Sequence, residues 1–503
     1  MGKQIAKRVD PETYDAKVAD LRVALLDAQY RVLAARKGPP IVVIGGVDGA
    51  GKGETVNVLL EWLDPRHVEA HAVGEPTDEE RQRPPMWRFW RRLPAAGKLG
   101  IFFGSWYTAP IVGRVLGDVG KRAFGASLEE IRRFEAMLVA EGAVVRKFWF
   151  HLSKKAQRTR LDLLSSDRRT RWRVTPEDWR RFALYDDFRA ASARAIRTTS
   201  TDASPWLIVD GGDERGRNLA VGEALLGAFR SLLVDEAPKA PKERARKGKE
   251  AAPPKLEAAV APDAPIDDLL GRVDLGAKLT KQEYAEALPM AQGRLARLTR
   301  KRRFSGISPI LVFEGADAAG KGGAIRRVTQ AIDARIYDVV TIAAPSDEER
   351  AHPYLWRFWR HAPRDGKFVI FDRSWYGRVL VERVEGFARE ADWRRAYDEI
   401  VDFESQLARA GCPIVKVWLQ ISPEEQLKRF REREATPWKN FKIGPEDWRN
   451  REKWSAYQAA ANEMFARTST PHAPWTIVEA EDKYHARVKV LETISSAIER
   501  ALD

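Results

Sequence analysis

The stretch Ile310-Leu-Val-Phe-Glu-Gly-Ala-Asp-Ala-Ala-Gly-Lys-Gly-Gly323 decides the fold of this chain. An apolar run of strand character ends at Glu314, a glycine-rich turn follows, and Lys321 opens a helical pattern, Ala324-Ile-Arg-Arg-Val-Thr-Gln. Gly315 and Gly320 let the backbone turn tightly, so that the N–H groups around Ala318, Ala319 and Gly322 point into one small cavity. The helix N-terminus adds positive potential and Lys321 adds a mobile point charge, which together make a phosphate-binding loop. Gly322 stands where such loops usually carry Ser or Thr, so the hydroxyl that touches magnesium is missing. Asp317, inside the loop, is the replacement ligand.

Composition narrows the partners. The chain has 503 residues, room for two to four domains, and a net charge of +14 from 86 Lys and Arg against 72 Asp and Glu. Such a balance implies an anionic partner: nucleic acid, a membrane surface or a polyanionic substrate. Cys412 is the single cysteine, which excludes an internal disulfide and a cysteine metal cluster; beside Pro413-Ile-Val-Lys-Val-Trp-Leu it reads as a packing residue. No apolar signal core follows Met1, and no stretch is long enough to cross a bilayer, so a cytoplasmic protein without membrane partner is expected.

A second loop, Gly45-Gly-Val-Asp-Gly-Ala-Gly-Lys52, follows the short strand Ile41-Val-Val-Ile44. Lys52 and Lys321 lie 269 positions apart, and the same offset maps Trp87-Arg-Phe-Trp90 onto Trp356-Arg-Phe-Trp359 and Ser105-Trp-Tyr107 onto Ser374-Trp-Tyr376. It also maps Pro176-Glu-Asp-Trp179 onto Pro445-Glu-Asp-Trp448 and Thr199-Ser-Thr201 onto Thr468-Ser-Thr470. Register kept over this distance means that a whole domain was duplicated. The expected organisation is a first domain over 1–234, a Lys/Ala/Pro-rich linker over 235–263 and a second domain over 264–503. Each copy alternates strands with helices, the pattern of an α/β fold with a parallel sheet covered on both faces. In the second copy strands are expected near Ile310–Phe313, Val339–Ile342, Phe368–Phe371, Ile414–Leu419 and Trp475–Val478. Amphipathic helical lead-ins are expected over Asp10–Lys37 and Leu269–Arg303, and a charged helical lid over Pro423–Arg467.

Phosphoryl transfer needs metal and cations around the moving phosphate more than covalent chemistry. Phe371-Asp-Arg-Ser-Trp-Tyr376 supplies Asp372 where a Walker B aspartate would face the loop, and Arg373, which can bind a phosphoryl group bidentately. Asp317 and Asp372 are the candidate magnesium ligands. Arg429, Arg433, Lys439 and Lys442 are candidate lid contacts to phosphate, and Arg350, Arg357 and Arg378 are candidates for gripping the acceptor nucleotide or the donor chain. The tryptophans nearby fit either core packing or base stacking. The first copy keeps Asp48, Gly51 and Lys52 but has Phe103-Gly104 in place of Asp372-Arg373, Leu164 in place of Arg433 and Thr170 in place of Lys439; Arg173 keeps the charge of Lys442. Catalysis is therefore expected in the second copy.

These three motifs, the loop from Glu314, Phe371–Tyr376 and Thr468-Ser-Thr-Pro-His-Ala-Pro-Trp475, resemble the polyphosphate kinase 2 family, whose core is distantly similar to thymidylate kinases. The resemblance covers almost all of both halves. Two fused domains with a degraded first copy resemble the subclass that phosphorylates AMP to ADP with inorganic polyphosphate. It implies Asp317, Lys321, Asp372 and Arg373 as the catalytic set, Arg429, Arg433, Lys439 and Lys442 as the lid, Mg2+ as cofactor, AMP or ADP as nucleotide partner, and a homo-oligomer with no specific nucleic-acid partner. Ala316, where many members carry Arg, and Gly377, where Asn is common, depart from the family pattern. The rival readings are a polyphosphate-dependent ADP kinase, an ATP-dependent nucleoside monophosphate kinase of thymidylate-kinase type, against which Gly322 weighs, and a non-catalytic polyanion-binding protein, against which the Asp372-Arg373 pair weighs.

Overall fold

The computed structural model describes residues 3–4, 9–234, 266–436 and 443–503. It forms two compact units, one of residues 3–4, 9–75, 89–234 and 345–356, the other of 76–88, 266–344, 357–436 and 443–503. The expected linker 235–263 falls outside the described residues, as do Trp438, Lys439 and Lys442.

The first unit holds a six-stranded sheet of β1 (Lys3–Gln4), β2 (Pro40–Gly46), β3 (Val68–Ala72), β4 (Leu99–Phe103), β5 (Val144–His151) and β6 (Trp206–Asp210), in the order β1-β6-β5-β2-β4-β3. The second holds β7 (Ile310–Gly315), β8 (Tyr337–Thr341), β9 (Phe368–Asp372), β10 (Ile414–Gln420) and β11 (Trp475–Glu479), in the order β11-β10-β7-β9-β8. Every neighbouring pair is parallel. Both units are thus parallel sheets with flanking helices, in the tandem kinase-like arrangement expected. The five strands expected in the second copy appear, each displaced by two residues or fewer. No described helix is long and apolar enough to cross a membrane.

Burial explains why the strands read as apolar runs. All seven residues of β10 are buried, because helices cover both faces of a parallel sheet. Leu311, Phe313, Val417 and Leu419 pack with Val328, Val490 and Ile494 from the helices Lys321–Thr329 and Lys483–Leu502. Each such side chain withdrawn from water contributes about 1.5–3 kcal/mol. The first lead-in is one helix, Pro11–Ala35, whose N-cap Asp10 accepts from the Thr13 N–H. The second is the helix Lys281–Leu298, closed by a capping box of Thr280 and Glu283. The expected lid resolves into helices Pro423–Glu434, Pro445–Glu452 and Trp454–Thr468, the last burying Ala460, Ala461, Met464 and Phe465.

One buried polar cluster anchors each unit. Lys416 Nζ lies 2.8 Å from Glu404 Oε2, 2.8 Å from the Tyr376 hydroxyl and 2.8 Å from the Thr468 carbonyl, and Trp375 Nε1 donates to Glu404. Lys147, Glu135, Tyr107, Thr199 and Trp106 repeat it in the first unit. A charge pair so deeply buried holds only because each partner is otherwise hydrogen-bonded. The repeated Ser-Trp-Tyr and Thr-Ser-Thr motifs therefore serve packing. Trp356, Trp359 and Trp375 are also buried, which settles them as core residues rather than base-stacking platforms.

Candidate functional site

β7 delivers the loop of the second unit to the carboxyl edge of the sheet. Gly315 ends the strand at φ 138°, and a Cβ there would fall 2.5 Å from the Leu419 carbonyl, so only glycine lets β7 run this close to β10. Gly320, at φ 115°, caps the helix Lys321–Thr329. Lys321 Nζ folds back over the loop, donating to the Gly315 carbonyl at 2.7 Å and the Ala316 carbonyl at 3.3 Å. Burial lowers the pKa of its ammonium, with Asp317 opposing.

Asp372 ends β9 in register with Phe313 of β7 and Thr341 of β8, so strand pairing alone sets it beside the loop. Arg373 follows at φ 64°, a left-handed backbone that costs a side-chain-bearing residue about 1–2 kcal/mol. That turn aims the guanidinium back at the loop, where Nη2 donates to Asp317 Oδ1 at 2.8 Å. Asn450 Nδ2 donates to the other oxygen, Oδ2, at 3.0 Å, and Gln426 Nε2 donates to the Asp317 carbonyl at 3.0 Å. Burial works to raise the Asp317 pKa, but Lys321, Arg373 and the Asn450 hydrogen bond outweigh it and hold the carboxyl below its ordinary value. Glu314 behaves oppositely: fully enclosed and bonded by the Ser374 hydroxyl at 2.9 Å, its carboxyl is pushed up by burial.

Two cavities flank the loop. One is lined by Asp317, Arg373, Asn450, Trp418, Trp454 and Tyr457, with Leu380 and Val381, and joins charged groups to an apolar wall. The other is basic, lined by Ala318, Ala319 and Gly320 of the loop with Arg429, Arg433, Lys483 and Arg487.

The remaining expected site residues are distributed unevenly. Arg429 is 3% exposed, and all five of its N–H donors are engaged by the protein. It donates to Glu425 at 2.7 Å, to the Ala318 and Ala319 carbonyls at 3.0 Å each, and to the Ala480 and Glu481 carbonyls. It clamps the outside of the loop. Arg378 pairs with Glu382 at 2.8 Å, and Arg357 is buried with Nη2 on the Ala343 carbonyl. Arg350 belongs to the other unit, exposed and bonded to Pro345 and Asp347 of its own turn. Gly322 is exposed on the first turn of its helix. Sequence reasoning missed Glu314, Asn450, Lys483 and Arg487. The repeat held the signal: at the 269 offset these four face Gly45, Arg181, Glu214 and Asn218.

The first unit keeps the loop and replaces its surroundings. Lys52 Nζ folds onto the Gly46 and Val47 carbonyls as Lys321 does, but it also meets Asp48 Oδ1 at 3.4 Å. Glu54, opposite Gly323, places its carboxylate 3.3 Å from Arg160, 3.0 Å from Arg173 and 3.2 Å from Arg217. Gly104, opposite Arg373, keeps the left-handed backbone at φ 78°, and a Cβ there would fall 2.3 Å from the Val73 carbonyl.

The geometry can be set beside known proteins. Residues 8–236 and 278–503 match the polyphosphate kinase 2 family. The chain is 51% identical over 498 residues to a polyphosphate:AMP phosphotransferase of Pseudomonas aeruginosa, covering 99% of this chain and 98% of that one. It is 38% identical to a polyphosphate:AMP phosphotransferase of Acinetobacter johnsonii, covering 97% and 98%. A crystal structure described as a polyphosphate kinase 2 of Pseudomonas aeruginosa superposes with a TM-score of 0.87 at 49% identity, over 99% of this chain and 98% of that one. With both halves matched and this similarity sustained from end to end, the chain belongs to the polyphosphate kinase 2 family.

Proposed function

We propose that this protein transfers the terminal phosphoryl group of inorganic polyphosphate to AMP, giving ADP, and that the second unit carries out the reaction. The observation that carries the assignment to that unit is the joining of Asp317, Lys321, Asp372 and Arg373 at one loop, two of which the first unit lacks. The full-length relatives named polyphosphate:AMP phosphotransferase support the choice of donor and acceptor.

In this reading an oxygen of the AMP phosphate attacks the terminal phosphorus of the chain. The bond from that phosphorus to its bridging oxygen breaks, and the electron pair leaves on the shortened polyphosphate. Lys321 and Arg373 neutralise charge on the phosphoryl group in transit, the task that dominates catalysis of this class. The loop N–H groups and the helix N-terminus hold the donor. The basic cavity of Arg433, Lys483 and Arg487 suits the polyanion, and the cavity walled by Trp418, Trp454 and Tyr457 suits a nucleoside. Arg429 acts by shaping the loop.

The donor set fits magnesium. Asp317 and Asp372 are two hard carboxylates at the loop, and no cluster of three metal-ligating side chains occurs among the described residues. That suits an ion which takes one or two carboxylates and fills its other positions with water and phosphate oxygens. Glu314 lines the same cavity as Asp317, bonded by Ser374 and with its carboxyl raised by burial. Bound there, Mg2+ would neutralise charge on the phosphates.

The test is turnover with purified protein, long-chain polyphosphate, Mg2+ and AMP, with ADP as acceptor in parallel. ADP from AMP, with little ATP from ADP, is expected. ATP formed from ADP alone would overturn the acceptor, and activity only with ATP as donor would overturn the reaction.

A further inference from the structure

Asn450 lies outside the phosphate loop, on the helix Pro445–Glu452, yet its amide reaches the carboxylate of Asp317. A carboxylate only accepts, so the amide must present its N–H2 to Asp317 and turn its oxygen the other way. That oxygen lies 3.3 Å from the Tyr457 hydroxyl, which also lies 3.3 Å from Glu385 Oε1, so one phenolic proton is shared between two acceptors. Glu385 is 4% exposed and is held by Arg449 Nε at 3.1 Å and Lys453 Nζ at 2.9 Å. A continuous set of contacts therefore runs from an enclosed carboxylate to the loop aspartate.

We propose that Asn450 is a positioning residue for phosphoryl transfer: its amide, oriented by Tyr457 and Glu385, holds the Asp317 carboxylate on Arg373. The proposal rests on the function given above. The first unit shows what happens without the brace. Opposite Asn450, Tyr457, Glu385 and Lys453 it has Arg181, Phe188, Leu116 and Leu184, so four members are lost together. Arg181 lies 3.5 Å from Glu177, and Asp48 lies 3.4 Å from Lys52. An aspartate that closes on the loop lysine neutralises the charge that phosphate needs. Packing does not account for the difference. The helix Pro445–Glu452 buries none of its residues, and the Pro-Glu-Asp-Trp motif at its start survives in both copies.

The experiment uses the full chain with Asn450→Ala, Asn450→Asp and Tyr457→Phe, measuring kcat and KM for AMP with polyphosphate and Mg2+. Amide hydrogen exchange over Gly315–Lys321 is measured without substrate. Asn450→Ala is expected to lower kcat about 10- to 100-fold while KM for AMP stays within about threefold, because a displaced group costs the chemical step rather than binding. Exchange in the loop should rise and the melting temperature should hold. Asn450→Asp keeps the shape without the donor and should fall at least as far as Asn450→Ala, whereas Tyr457→Phe should lose several-fold. A role in shape alone would make Asn450→Asp the milder change. Both Asn450 variants turning over within twofold of the parent, or unchanged loop exchange, would overturn the proposal. A parent with no turnover would refute the function instead, and the loop exchange would still decide whether Asn450 holds Asp317.

Discussion

The two phosphate loops of this chain have the same backbone and opposite surroundings. Both lysines fold onto two loop carbonyls, at 2.7 and 3.2 Å for Lys52 and at 2.7 and 3.3 Å for Lys321. Both units keep the buried Lys–Glu–Tyr cluster under the sheet. Around the loops several charged positions differ, although Arg160 stands opposite Arg429 and Arg173 opposite Lys442. The second unit sets Arg433, Lys483 and Arg487 about its basic cavity, where the first has Leu164, Glu214 and Asn218. The first unit places the Glu54 carboxylate among Arg160, Arg173 and Arg217, so that cations which could meet a phosphate meet the protein's own acid. A phosphate-binding loop is thus an architecture before it is an activity: the turn and the folded lysine persist where the charged groups around them differ.

The sharpest way to break this contrast is Asp372→Asn. Turnover should fall about a thousand-fold or more if, as proposed, the Asp372 carboxylate serves the metal and the phosphate; near-parental rates would end the assignment to the second unit. Arg373→Lys comes next, with a loss of about 10- to 100-fold in kcat, because an ammonium cannot bind a phosphoryl group through two parallel bonds. Lys52→Ala is the mirror experiment. Steady-state rates should stay within about twofold of the parent, and a larger fall would show that the first loop takes part in turnover.

A pH profile probes Lys321 more gently. Burial lowers the Lys321 pKa, so raising the pH removes its proton earlier than from a free lysine. The rate should decline on an alkaline limb that begins below the ordinary lysine range; a profile flat through that range would show that Lys321 is not the cation in use. The smallest effect is expected from Glu54→Ala. Losing the acceptor of three arginines, one of them only 4% exposed, should cost the first unit about 1–3 kcal/mol and lower its melting temperature by a few degrees, with turnover unchanged.

Much of this could be read from the chain, and the part that could not has a common cause. Apolar runs marked the central strands because a sheet buried on both faces tolerates little else there. The 269-residue register exposed the duplication, and Asp372 and Arg373 stood out at the end of a strand. Residues brought in by tertiary packing left weaker marks. Asn450 carries no motif of its own, and it meets Asp317 only because a helix following β10 folds back over the loop that follows β7. Arg429 reads from sequence as one more cation on a basic helix; that four of its donors face carbonyls of the loop and of the turn after β11 depends on how that helix docks. Glu314, a charged residue closing an apolar strand, was visible all along, and its contrast with Gly45 was the cue.

The left-handed turn after β4 limits what the first unit can carry there. Gly104 sits so close to Val73 that any side chain would strike the neighbouring carbonyl, whereas Arg373 occupies the matching turn in the second unit. The backbone of the first unit therefore leaves no room at 104 for a side chain such as the one carried at 373. Placing Asp at 103 and Arg at 104 would disturb the local fold before it could reproduce the second unit's Asp-Arg pair. Two substitutions are enough to write that pair into the sequence, yet the shape around them would have to move first.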